Sequence, residues 1–108
     1  MKKKIAVLSI ALLGLSLGTP AVAGSWTHSS TGGYVTVSGP TISLKDSVDD
    51  GRFVSVHYVY DDHSSRGSFA NKLGYGKTLT ATEMTDINND KICRSRWLQP
   101  MECGAWKF

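Results

Sequence analysis

The sequence predicts an all-β protein, a small antiparallel β-sandwich or barrel with one disulfide near its C-terminus. Three observations carry that expectation. Apolar residues alternate with polar ones in short runs, turn signals built from Gly, Pro and Asp recur between the runs, and the chain's two cysteines, Cys93 and Cys103, follow an export signal at the other end.

The export signal is read first because it fixes the redox compartment. Lys2, Lys3 and Lys4 precede an uncharged apolar run from Ile5 to Leu17, and then come Gly18, Thr19, Pro20 and the small-residue triplet Ala21-Val22-Ala23. That order is expected of a secretory signal peptide cleaved after Ala23. A membrane anchor needs roughly 20 apolar residues, and this run is shorter and ends in helix breakers. The reading is therefore a signal peptide over residues 1–23, a flexible segment over 24–31 and a single β domain over 32–108. The mature protein is expected to be secreted, extracellular and soluble, with no transmembrane anchor.

Removing the leader changes the charge argument. The chain holds 12 Lys and Arg against 9 Asp and Glu, and three of the lysines lie in the leader, so the mature chain carries nine of each. A basic pI then gives no reason to expect nucleic acid as a partner. Cleavage after Ala23 leaves 85 residues, a size at which secreted domains commonly add a covalent tie.

Along the domain, "YVTV" at Tyr34–Val37 and "TISL" at Thr41–Leu44 read as short strands broken by Ser38-Gly39-Pro40. The turn signal Asp50-Gly51 introduces the longest candidate, "RFVSVHYVY", with Val54, Val56, Tyr58 and Tyr60 on one face and Phe53, Ser55, His57 and Val59 on the other. "DDHSSRGS" reads as a loop, "FANKL" at Phe69–Leu73 as a strand, and "KTLTAT" as a half-buried strand with Leu79 and Ala81 opposite its threonines. The only helical candidate is "ATEMTDI" around Glu83, and "KICRSRWL" closes the set as a terminal strand that buries Trp97.

The cysteines are weighed against that frame. C-x9-C with scattered His28, His57 and His63 does not supply the four closely paired ligands of structural zinc, and a redox pair wants two intervening residues. A Cys93–Cys103 disulfide is expected, with loop closure contributing about 3 kcal/mol. Inside it, Arg94 and Arg96 beside a stiffening Pro100 also suit a protease-inhibitor loop, although alternating Arg on a wet strand face is the commoner use.

Other constellations are weaker. The adjacent acid, imidazole and hydroxyl of "DDHSS" cannot converge as a catalytic set, so no catalytic residue is assigned and the protein is read as a non-enzyme. "DINND" at Asp86–Asp90 opens like a calcium loop, but Lys91 and Trp97 stand where Gly and Glu are needed, so it reads as a solvated turn; no metal or cofactor is expected. Most aromatics are expected in the core. Trp26, placed in a polar lead-in, is the exception, and with Arg94, Arg96 and Trp97 it makes up the candidate partner-binding set.

Taken together, "DDGRFVSVHYVY", "NKLGYGKTLTAT" and "ICRSRWLQPMECGAW" resemble a group of small exported β-rich proteins of Gram-positive bacteria that end in C-R…P…C-x-x-W. The resemblance covers Asp49 to Trp106. It implies a kinship with non-catalytic adaptors of secreted antibacterial toxin assemblies, in which an extended N-terminal segment engages another component. Here "GSWTHSSTGGYV" would be that segment, with Trp26 its anchor. "HSS" at His63–Ser65 is also faintly similar to a stretch of the lactococcin-type bacteriocins. The function expected is a secreted binding or adaptor module acting on a secreted or cell-surface protein in bacterial competition, with bacteriocin and serine protease inhibitor as alternatives.

Overall fold

A computed structural model describes residues 24–108, and the signal peptide read over residues 1–23 lies outside them. Eight strands form two antiparallel sheets, and the described residues contain no helix. Sheet A is ordered β1-β2-β3-β6, from Ser25–Ser30, Gly33–Ser38, Thr41–Asp46 and Thr78–Thr82. Sheet B is ordered β5-β4-β7-β8, from Ser65–Asn71, Val54–Tyr60, Ile87–Arg96 and Gln99–Cys103. Two separate sheets facing each other make the architecture a sandwich.

Period-two patterning dictates which side of each strand turns inward. Val35 and Val37 of β2, Ile42 and Leu44 of β3, Val54, Val56 and Tyr58 of β4, and Ile87 and Ile92 of β7 form one buried cluster between the sheets. The expected inner face of β4 is therefore the observed one, with Tyr60 packed at its end. Leu79 and Ala81 of β6 turn partly inward while Thr80 and Thr82 stay outside, hydrogen-bonded to Ser43 at 2.8 Å and Thr41 at 3.2 Å. At Gly33 the sheets approach closely: a Cβ there would stand 2.7 Å from Ile92 Cγ2.

Turn chemistry sets the register. Thr31-Gly32 joins β1 to β2 with both residues at positive φ, the twist that matches a two-residue hairpin. Gly39-Pro40 joins β2 to β3 as the Ser38-Gly39-Pro40 break predicts, with Ser38 opposite Thr41.

Four expectations are corrected. Residues 25–30 are not a flexible lead-in. They are edge strand β1, paired along its whole length with β2, because Trp26 and His28 alternate inward where polarity alone suggested none did. The strand expected at Phe69–Leu73 starts earlier, at Ser65, since its polar residues pair with β4 as an exposed edge and Gly67 receives the Tyr58 ring. "DINND" is no solvated turn: Ile87–Asp90 begins β7, extended backbone that cannot wrap an ion. The segment around Glu83 forms no helix but crosses from sheet A to sheet B, and the Glu83 carboxylate accepts the Tyr58 hydroxyl at 2.5 Å.

Candidate partner-binding site

Strand β7 runs out into β8 through Trp97 and Leu98, a two-residue turn with Arg96 opposite Gln99. Below the turn Arg94 pairs with Glu102 and Cys93 with Cys103, so the disulfide joins directly opposed residues and closes the hairpin. The staple keeps the two strands from splaying, and the hairpin tip is held to the body of sheet B through β4.

The tip is apolar and in water. Trp97 is 84% exposed and Leu98 86%, so the expectation that the terminal strand buries Trp97 is wrong. The chain reversal explains it: β7 ends at Arg96 and Trp97 opens the turn, outside the strand's alternation, while the irregularity of the pairing falls on β8, which takes three steps from Glu102 to Gln99 where β7 takes two from Arg94 to Arg96. Leu98 also sits at φ 54°, a left-handed conformation that costs a non-glycine residue about 1–2 kcal/mol. Glycine would hold that turn freely, so neither folding nor solubility accounts for a leucine there.

The two arginines part company. The Arg94 guanidinium donates to Glu102 Oε1 at 2.9 Å and to Asp50 Oδ2 at 3.2 Å, tying β8 to the β3–β4 connection, and its Nε is buried without a partner. Hydrogen bonding to Glu102 raises its already high pKa, with Asp50 adding to the effect, while Arg94 holds the Glu102 carboxyl below the usual range. Arg96 lies exposed beside the tip, its guanidinium on the Gln99 side-chain oxygen. Of the basic pair, only Arg96 shares a surface with Trp97.

Trp26 is separate from this surface. Its indole packs against the core and its Nε1 donates to Asp90 Oδ2 at 2.8 Å, while His28 Nδ1 lies 2.7 Å from Asp90 Oδ1. Asp90 is fully buried on β7, so this triplet ties edge strand β1 to the opposite sheet. An acid–imidazole pair can serve a nucleophile, but Ser30, on the same face of β1, bonds Thr31 Oγ1 at 2.8 Å, and both cysteines are in the disulfide.

The candidate set thus resolves into Arg96 and Trp97 at the tip, Arg94 as an internal tie and Trp26 as an inward anchor. Leu98 was missed, because nothing in "RWLQ" shows that the chain reverses there. The other aromatics divide likewise: Tyr58 is buried, Tyr60 packs on the core, and Tyr34 and Tyr75 are exposed. His57 is exposed on the outer face of sheet B, its pKa lowered by partial burial and then by the Lys91 charge opposite. Among the described residues no cluster of three His, Cys, Asp or Glu could hold a metal ion, and no helix is long and apolar enough to cross a membrane. No protein-family model, curated protein or solved structure matches the chain.

Proposed function

We propose that the protein is an exported, non-catalytic binding module that engages another secreted or cell-surface protein through the tip of its disulfide-closed hairpin. One observation carries the reading: an adjacent Trp and Leu stand almost wholly in water on the turn of a disulfide-closed hairpin, the Leu in a conformation that a glycine would hold at less cost. Buried aromatic and Arg anchors dominate binding energy at protein interfaces, and a tip already held in place loses little entropy on docking. The partner surface that fits is an apolar slot for Trp97 and Leu98 with an acidic group at its rim for Arg96.

The leader and the likeness to adaptors of antibacterial toxin assemblies favour a partner met outside the cell, in competition between bacteria. The likeness, however, put the anchor at Trp26, and that indole is engaged with Asp90 in the protein's own interior. An inhibitor would want Arg94 free, whereas it is bound to Glu102 and Asp50.

A photo-crosslinking residue at position 98 of the mature protein, added to culture medium and to intact cells, tests the reading. A discrete adduct is expected, lost on Trp97→Ala with the melting temperature unchanged. Crosslinking that survives Trp97→Ala, or no protein adduct in either fraction, would overturn it.

A further inference from the structure

The other end of β7 carries a second feature, roughly 25 Å along the strand from the hairpin tip. The outer face of sheet B, away from the core, holds there a pocket of about 250 Å³ lined by Val59, His63, Arg66, Asn89, Trp106 and Phe108. Val59 and Asn89 are adjacent across β4 and β7, both nearly buried, and make its floor. Arg66 stands on β5 opposite Val59. The C-terminal segment supplies the aromatic wall, held by the pairing of Lys107 with Asp90 and by Lys91, whose ammonium lies 5.0 Å from the centre of the Trp106 ring.

His63 reaches the pocket from an unusual turn. Asp61, Asp62 and His63 are three successive non-glycine residues at positive φ, held by hydrogen bonds from Ser64 to the Asp61 carbonyl and from the His63 amide to Asn88 Oδ1 at 2.8 Å. Backbone strain of this kind is retained where surrounding structure over-determines it, commonly beside a working site.

We propose that this pocket binds a single pyranose ring bearing a carboxylate. A pyranose has one face of C–H groups and a rim of hydroxyls, which an aromatic wall and a ring of planar polar groups complement. Trp106 and Phe108 supply the wall. Asn89 Nδ2 is directed at the Lys107 carbonyl at 3.4 Å, which leaves Oδ1 as acceptor for a hydroxyl, and the His63 imidazole offers both a donor and an acceptor. Arg66 forms no ion pair among the described residues, and its planar fork matches a carboxylate. The volume is below the range of drug-sized pockets and admits one ring.

Titrating the isotope-labelled mature protein with D-glucuronate, D-glucose and cyclohexanecarboxylate tests this by NMR. Glucuronate is expected to shift the Trp106 indole and Asn89 amide resonances saturably. Glucose, which lacks the carboxylate, and cyclohexanecarboxylate, which lacks the hydroxyls, are each expected to bind about tenfold more weakly or less. Arg66→Gln, on an exposed strand position, should bring glucuronate down to the level of glucose, and Trp106→Ala should abolish all three. No saturable shift with glucuronate, cyclohexanecarboxylate binding as well as glucuronate, or full glucuronate affinity in Arg66→Gln would overturn the assignment.

Discussion

The indole Nε1 of Trp26 donates to the fully buried carboxylate of Asp90 across 64 residues of sequence and from one sheet to the other. A buried carboxylate must be hydrogen-bonded, and Trp26 and His28 together supply a partner to each of its oxygens. Edge strand β1 is thereby fixed by its side chains as well as by its ladder to β2.

Trp26→Phe keeps most of the apolar volume but removes the donor. Leaving the Asp90 oxygen unpaired should cost about 1–3 kcal/mol. The loss would be read from the denaturant midpoint. Hydrogen exchange should also speed up in β1 more than in β2, because β1 loses its tie to β7. Unchanged exchange in β1 would mean that the ladder to β2 alone holds the strand.

A second relationship joins Tyr58 and Gly67, paired across β4 and β5. The Tyr58 side chain lies directly over the glycine, where a Cβ would come within 2.6 Å of two ring carbons, Cζ and Cε2, and of the hydroxyl oxygen. Gly67→Ala should displace the ring and cost about 1–3 kcal/mol. A double-mutant cycle with Tyr58→Phe checks the cause. If alanine acts by moving the ring off Glu83, the two losses will fall short of additive.

The strands of this fold were legible because inward positions announce themselves: Val35, Val37, Ile42, Leu44, Val54, Val56 and Tyr58 alternate with polar neighbours, and buried alternation is the strongest local signal a β-protein carries. Two of the misreadings, the lead-in at residues 25–30 and "DINND", share one cause. Trp26, His28 and Asp90 are polar or amphipathic side chains that satisfy one another across the sandwich, and such a partnership leaves no trace in either strand's own pattern. Read locally, the polarity of "SWTHSS" and "DINND" points to solvent, whereas Trp26, His28 and Asp90 within them face one another across the sandwich. The tip was half legible. "CRSRWLQPMEC" shows a constrained loop with Arg96 and Trp97 in it, but which side chains point out depends on where the chain reverses, at Trp97 and Leu98, and on the extra residue that β8 carries between Gln99 and Glu102.

The disulfide gives a third prediction. Cys93 and Cys103 close a short loop, so converting both to Ser should lower stability by about 3 kcal/mol. The core cluster contains neither cysteine, and Cys93 pairs with Ser55 in the β4–β7 ladder through its backbone, which serine keeps, so the sandwich should still form at low temperature but melt at a lower temperature. A random-coil circular dichroism spectrum at low temperature would contradict this.

Leu98 offers a fourth, with stability and binding moving in opposite directions. Glycine adopts φ 54° without a Cβ penalty, so Leu98→Gly should leave the fold no less stable and could add up to about 1 kcal/mol. The same change removes an exposed apolar group from the proposed contact surface and should weaken crosslinking to the partner. A variant that is destabilised by more than about 0.5 kcal/mol would show that Leu98 packs on the fold in a way its exposure does not suggest.

Alkaline titration supplies the last. Burial, and then the hydrogen bond and charge of Glu83, raise the Tyr58 pKa well above its ordinary 10.0. The neutral phenol is therefore the form that the folded state holds, and its contribution is fully present below pH 10. Above that, the unfolded chain releases the proton while the folded one keeps it, so stability falls as pH rises, with a limiting slope of about 1.4 kcal/mol per pH unit from this one group. Guanidinium unfolding of the mature protein between pH 8 and pH 11.5 measures the slope, with the pH values set around the phenol's reference pKa of about 10. Tyr58→Phe lowers stability at pH 8, because it leaves the Glu83 carboxylate without its donor, but should lose less of what remains as the pH rises. If the two proteins fall in parallel, other groups drive the alkaline loss and Tyr58 does not hold its proton in the fold.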